Sequence, residues 1–138
     1  LKVFFDSSAL AKIYIKEPGS ERVAALLNAA EEIVVSLLAV PEVISALNRG
    51  LREHRVKPSE YSKLKSRFLH NVRHWTLVTL DEASIEVAVA CLEKGTPRTL
   101  DAVQIGCAKV SGCEVMVSSD DRQSRAAQIM DLGVEFVG

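Results

Sequence analysis

The sequence predicts an α/β domain, a three-layer α/β/α sandwich around a mostly parallel central sheet, and three observations carry that expectation. Short apolar runs of strand-forming residues recur without polar alternation, as in Val3-Phe4-Phe5, Ile33-Val34-Val35 and Val115-Met116-Val117. Such runs suit strands buried on both faces. Between them, apolar residues repeat at helical spacing, so strands alternate with helices. The chain has 138 residues, 48% of them hydrophobic and 25% charged, enough for one sizeable core and too few for two. A single domain over residues 1–138 follows.

Each element has its own warrant. Val3 to Phe5 form the first strand, and Asp6 ends it. Ser7, Ser8 and Ala9 open a short helix that reaches about Lys16, where Glu17-Pro18-Gly19 breaks the chain. Ser20 is a candidate cap for a second helix through about Ala30, with Val23, Ala24, Leu26 and Leu27 inward. Ile33 to Val35 make a second strand ending at Ser36. Pro41 fits only the first turn of the helix that follows, which places Glu42 near its start. Val43, Ile44, Leu47 and Leu51 continue that helix's apolar stripe. Val56-Lys57-Pro58 interrupts, and Ser59 restarts the chain as a long basic helix towards His74. Thr76 to Thr79 read as a third strand, and Asp81 caps a helix that stops at Gly95. Thr99 is a candidate cap for a helix from Leu100 to about Val110. Val115 to Val117 form a fourth strand, a helix runs to about Leu132, Gly133 ends it, and Val134 to Val137 form a fifth strand.

Composition removes several function classes. No apolar run approaches a membrane span, and Asp6 interrupts the only early one, so neither a membrane segment nor a signal peptide is expected. The cysteines, Cys91, Cys107 and Cys113, are three in number and lack C-x-x-C spacing, which argues for buried thiols in a reducing cytoplasm. The formal charge of −1 hides an asymmetry. Asn48 to Trp75 hold eight Lys or Arg against two Glu, together with all three histidines. A basic lobe on an acidic body suits a polyanion or an acidic partner, although a solvated helical face has the same composition.

The chemistry lies in where the acids fall. Asp6 follows the first strand directly, Asp120 follows the fourth across Ser118-Ser119, and Glu42 and Asp101 sit in the first turns of two helices entering from the same sheet edge. Ligands in open α/β sheets bind at that edge. Acids also favour helix amino ends for ordinary reasons, as caps and through the macrodipole. Four together have a cost, however, because two carboxylates about 4 Å apart repel by roughly 4 kcal/mol at an effective dielectric near 20. A converging group must protonate or bind cations. With no Cys or His placed to join, an all-oxygen site selects a hard ion such as Mg²⁺ or Mn²⁺. Such an ion can activate water and clamp a phosphate during in-line attack. Ser8 and Ser118 are candidates to orient the ligands from behind.

D-S-S-A-L from Asp6, S-L-L-A-V-P-E from Ser36 to Glu42, T-L-D-A at Asp101 and V-S-S-D ending at Asp120 resemble the ordered motifs of PIN-domain nucleases. The match spans the chain, and its size and order resemble the toxins of VapBC toxin–antitoxin modules. The resemblance implies a Mg²⁺- or Mn²⁺-dependent endoribonuclease acting on RNA, with Asp6, Glu42, Asp101 and Asp120 as carboxylate ligands. It also implies a homodimer, and an antitoxin that packs on the helical hairpin and blocks the site. Two positions depart from the pattern: Ala39 stands where a capping Ser or Thr is common, and Ser118 replaces a Thr. The hydroxyl-x-Asp pattern assigns the ion to Asp120. Asp121 then caps Arg122 to Leu132, with a supporting place behind the ligands open to it.

Other readings fit less well. A haloacid-dehalogenase-like phosphatase has a second acid two residues after its nucleophile, where this chain has Ser8, and its lysine has no counterpart beyond Lys109 inside a helix. A receiver domain needs a late lysine where this chain has Asp120. Neither G-x-x-x-x-G-K-[ST] nor G-x-G-x-x-G occurs. A catalytically idle module that binds RNA or protein through the basic lobe is the remaining alternative, and it has no need for all four acids.

Overall fold

The computed structural model describes residues 1–138. Its elements run β1 (Lys2–Phe5), α1 (Ser7–Tyr14), α2 (Ser20–Ala29), β2 (Glu32–Ser36), α3 (Ala39–Arg52), α4 (Pro58–Val72), β3 (Thr76–Val78), α5 (Glu82–Lys94), α6 (Thr99–Val110), β4 (Val115–Ser118), α7 (Asp121–Ile129) and β5 (Gly133–Phe136). The five strands form one sheet in the order β3-β2-β1-β4-β5, and every pairing is parallel. The expected mostly parallel sheet is therefore wholly so.

The most apolar strand takes the centre. Phe4 of β1 lies between Val34 and Met116 in register, and both Phe4 and Phe5 are fully buried. Because side chains alternate across a strand, one sheet supplies two cores. Val3 and Phe5 face a cluster that includes Leu10, Val23, Val43, Leu47 and Phe68 from α1 to α4. Phe4, Val34 and Met116 face the other, with Ala88, Cys91, Ala102, Ile105 and Ala127 from α5 to α7. These are the three layers. All three cysteines are buried and free, as expected. No helix is long and apolar enough to cross a membrane.

One close approach explains a small residue. A Cβ on Gly106 would come within 2.3 Å of the Ser84 carbonyl oxygen, so α6 approaches α5 as closely as only glycine permits.

Several helix ends differ from the sequence reading, each for a local reason. Ser20 does not cap α2. Gly19 does so with φ 97°, and Ser20 Oγ instead accepts from the Glu17 N–H at 3.0 Å. A Cβ at Gly19 would meet the Val137 carbonyl oxygen, a second reason for glycine there. Thr99 is the first residue of α6 and Arg98 its cap, because the Asp101 side chain reaches back to the Arg98 N–H. At the start of α3, Leu38 caps without a side-chain bond, while Ser36 Oγ accepts the Leu38 N–H at 3.1 Å. Helix α1 stops at Tyr14 because Ile15 turns extended and is buried in the core. Helix α4 begins at Pro58, one residue before Ser59, where proline needs no N–H partner. Helix α7 ends at Ile129. Asp131, at φ 62°, turns the chain so that Leu132 is buried, and Gly133 opens β5.

Candidate active site

The chain leaves β1 on one side of the sheet for β2 and β3, then returns to lay β4 against the other side of β1. Connections diverge at this point, and a crevice opens outside the strand ends. A cleft of ≈ 370 Å³ lies there, walled by the first residues of α1, α3 and α6 and the turn before α7.

Asp6 lies buried behind the lining, immediately before Ser7 and Ser8, which face the cleft. It caps α1, with Oδ1 accepting from the Ala9 N–H at 2.9 Å and from Ser8 Oγ at 2.7 Å. Its Oδ2 accepts from Ser118 Oγ at 2.6 Å. The residue is 1% exposed, and burial pushes its carboxyl up to about 6, with the Asp120 charge adding and the three hydrogen bonds opposing. The acid expected at the site is therefore also the cap of α1. Ser8 and Ser118, the sequence's candidates for orienting the ligands, both donate to Asp6. Ser8 Oγ also accepts from the Ser119 N–H at 3.0 Å, and Ser118 Oγ accepts from the Asp120 N–H at 3.0 Å. Together they join α1 to the turn after β4.

The other three acids line the cleft. Glu42 Oε1 accepts from Ser7 Oγ at 2.5 Å and from Gln104 Nε2 at 2.7 Å. Asp101 is partly buried and its carboxyl is raised by burial first, then by the charges of Asp120 and Glu42, with Arg98 opposing. Asp120 caps α7 through Oδ1, which accepts from the Gln123 N–H at 3.0 Å. The expected cap at Asp121 is thus corrected. Asp120 takes that bond because it is the last extended residue, and Asp121 is already helical. Asp121 is exposed and pairs with Arg125 at 3.0 Å, one turn along the same helix. It lies outside the cleft lining.

The carboxylates share a pattern. In Glu42, Asp101 and Asp120, one oxygen holds a protein donor and the other holds none. Asp6 keeps a lone pair on Oδ2, since a carboxylate offers about four acceptor sites. No three acids converge closely enough to form a preformed cage. The donor set fits a hard cation that keeps several waters and takes one or two carboxylates directly.

Sequence reasoning missed part of the lining. Ser7 and Gln104 fasten Glu42, and Gln104 lies one helical turn after Asp101, a spacing that could have flagged it. Arg49, Arg55 and Arg98 bring positive charge to the cleft wall, and Glu17 pairs with Arg55 at 3.5 Å. Of the basic lobe only Arg49 and Arg55 reach this cleft. Lys63, Lys65, Arg67 and Arg73 are exposed on or just beyond α4.

Comparison with known proteins places this geometry. A family model described as PIN domain matches residues 3–129. Ribonuclease VapC46 of Mycobacterium tuberculosis H37Rv is 28% identical over 134 residues, covering 96% of this chain and 95% of that protein. Among solved structures, a toxin–antitoxin complex from Klebsiella pneumoniae superposes with a TM-score of 0.73 at 13% identity, covering 99% of this chain and 98% of that one. VapC20 of M. tuberculosis, described as a sarcin-ricin loop cleaving toxin, does so with a TM-score of 0.68 at 16% identity, covering 91% and 95%. At these identities the structures establish likeness of fold.

Proposed function

The chain belongs to the PIN domain family, and from that premise we propose that it is a metal-dependent endoribonuclease, the toxin of a toxin–antitoxin pair. The observation that carries the reading is that Glu42, Asp101 and Asp120 line one cleft that also holds three arginines, with Asp6 buried behind its wall. Glu42, Asp101 and Asp120, with Asp6 behind them, would hold Mg²⁺ or Mn²⁺. The bound ion lowers the pKa of water and neutralises charge building on a phosphate.

The chain's own groups account for the rest. Arg49 and Arg98 receive backbone phosphates at the cleft wall, where guanidinium forks match phosphate oxygens, while Arg55 is held by Glu53 and Glu17. Ser8 and Ser118 hold Asp6 from opposite sides, so it cannot swing on substrate binding. Burial and the charges of Asp120 and Glu42 raise the Asp101 carboxyl, a strain that a bound cation would relieve. Attack by water leaves a 5′-phosphate and a 3′-hydroxyl.

The partners follow from what the fold leaves uncovered. Ile85, Val89 and Leu92 form an apolar stripe on α5, 43%, 49% and 39% exposed, suited to a second copy of the chain. The α3–α4 hairpin with its basic face suits an antitoxin. The deciding experiment incubates the protein with single-stranded RNA in Mg²⁺ or Mn²⁺ and again with EDTA. Cleavage should require the ion and yield 5′-phosphate ends. Cleavage undiminished in chelator, with 2′,3′-cyclic phosphate ends, would overturn the reading. Binding without cleavage would favour the idle module.

A further inference from the structure

Gln104 is 3% exposed, and its Oε1 is the one buried side-chain polar atom without a hydrogen-bond partner. Buried acceptors rarely remain so, and an exception in a native fold points to a group the protein expects to meet. The other end of the amide is fully engaged: Nε2 donates to Glu42 Oε1 at 2.7 Å and to Ser7 Oγ at 2.9 Å. Ser7 in turn donates to the same Glu42 oxygen at 2.5 Å.

This triangle fixes the amide's orientation. An ionised carboxylate only accepts, so a flipped amide would set two acceptor oxygens 2.7 Å apart. Gln104 therefore keeps its N–H groups on Glu42 and Ser7, and Oε1 is left for something that donates. The triangle also fixes Glu42. Both donors hold Oε1, so Oε2 alone is left to the cleft.

We infer that Gln104 is a positioning residue for the carboxylate site: it sets which oxygen of Glu42 faces the cleft and offers its own amide oxygen to a water carried by a divalent cation. The inference rests on the proposed metal dependence. Through Ser7, Glu42 and Gln104 the triangle joins α1, α3 and α6, which lie far apart in the chain. The demand for waters fits a hard ion that keeps part of its hydration shell.

The test is Mn²⁺ binding by calorimetry, without RNA, beside a thermal melt of each variant in chelator. Gln104→Met keeps length and volume and removes both polar functions. Gln104→Glu keeps an acceptor but loses the donors and sets a second acid beside Glu42. Each should weaken Mn²⁺ binding about ten- to hundredfold, as loss of an outer partner of a metal ligand does. Gln104→Met should melt close to the unaltered protein. Ser7→Ala should weaken binding less, and in a Glu42→Gln background Gln104→Met should cost less than in the unaltered protein, because only the contribution of its amide oxygen remains to be lost. Mn²⁺ affinity within twofold of the unaltered protein for a folded Gln104→Met variant overturns the inference. Should Gln104→Met not fold, Mn²⁺ affinity within twofold of the unaltered protein for a folded Gln104→Glu variant overturns it instead. Absence of Mn²⁺ binding by the unaltered protein overturns the metal-dependent reading, a separate outcome.

Discussion

Replacing Asp6 by Asn should make the protein more stable at neutral pH while abolishing its chemistry. The carboxyl of Asp6 is pushed from 3.8 up to about 6, chiefly by burial. The folded state thus binds a proton more tightly than the unfolded state. Between those values the folded form holds more protons, so stability falls as pH rises. The full effect is about 3 kcal/mol, at ~1.4 kcal/mol per pH unit, absent below pH ~4 and complete above pH ~6. Asn escapes this penalty. Its Oδ1 can still accept from the Ala9 N–H and Ser8 Oγ, and its amide can donate to Ser118 Oγ, whose own proton can turn to the Asp120 carbonyl at 3.4 Å. For 138 residues the unfolding entropy is roughly 0.3 kcal/mol per degree. Asp6→Asn should therefore melt about 10 °C higher than the unaltered protein at pH 7.5, without divalent cations. The two should converge near pH 4. Asp101 carries a shift of the same sign, but it is present in both proteins and largely cancels in the difference. The assay is a series of thermal melts of both proteins from pH 4 to 8. A difference that stays constant with pH, or that shrinks as pH rises, refutes the argument that Asp6 is held ionised against its surroundings.

The neighbouring acids separate cleanly. Asp120→Asn should remove turnover and change stability by less than about 1 kcal/mol, since Asn also caps. Asp121→Asn loses only an exposed pair with Arg125, worth roughly 0.5 kcal/mol, and should keep activity. Parallel assays in which Asp121→Asn loses more would move the site by one residue. Charge reversal at Arg49 and Arg98 should weaken RNA binding and flatten its salt dependence, by about 0.7 in logarithmic slope for each phosphate no longer neutralised. Reversal at Lys63 and Lys65 should leave RNA affinity intact and weaken antitoxin binding, and an equal loss of RNA affinity would route the substrate over α4. Gly106→Ala should lower stability by about 1–3 kcal/mol, read by denaturant titration, because the new methyl meets the Ser84 carbonyl.

Much of the frame was legible because buried parallel strands announce themselves as unbroken apolar runs, and acids directly after such runs fall on one sheet edge. Asp81 was equally plain, since its partner Ser84 lies three residues on and the capping box is local. What escaped depends on which of several possible partners a side chain takes, some nearby and some distant in the chain. Ser20 looks like a cap until Glu17 claims its hydroxyl, and Thr99 looks like one until Asp101 turns back on Arg98. Asp120 and Asp121 are indistinguishable as caps without the backbone angle that ends the strand. Gln104 is an unremarkable helix residue in sequence, and its use appears only when α1 and α3 bring Ser7 and Glu42 against it. The basic lobe divides in the same way. Its composition is uniform along the chain, but the end of α3 and the turn after it bring Arg49 and Arg55 to the cleft while α4 contributes none of its basic residues to the lining.

The strand order also bears on how the protein is made. β1 emerges first from synthesis, yet its neighbour β4 lies more than a hundred residues later, with Phe4 set against Met116. The nascent chain can pair β1 with β2 and lay down one helical layer while Asp120 does not yet exist. Asp6 then lacks the Ser118 hydroxyl that holds it, and the cleft has no far wall. Such long-range pairing closes late, after the loop-closure entropy has been met. A hydrolase that attacks RNA would thus be harmless through most of its own translation. The acids can come together only once the segment carrying β4 has docked.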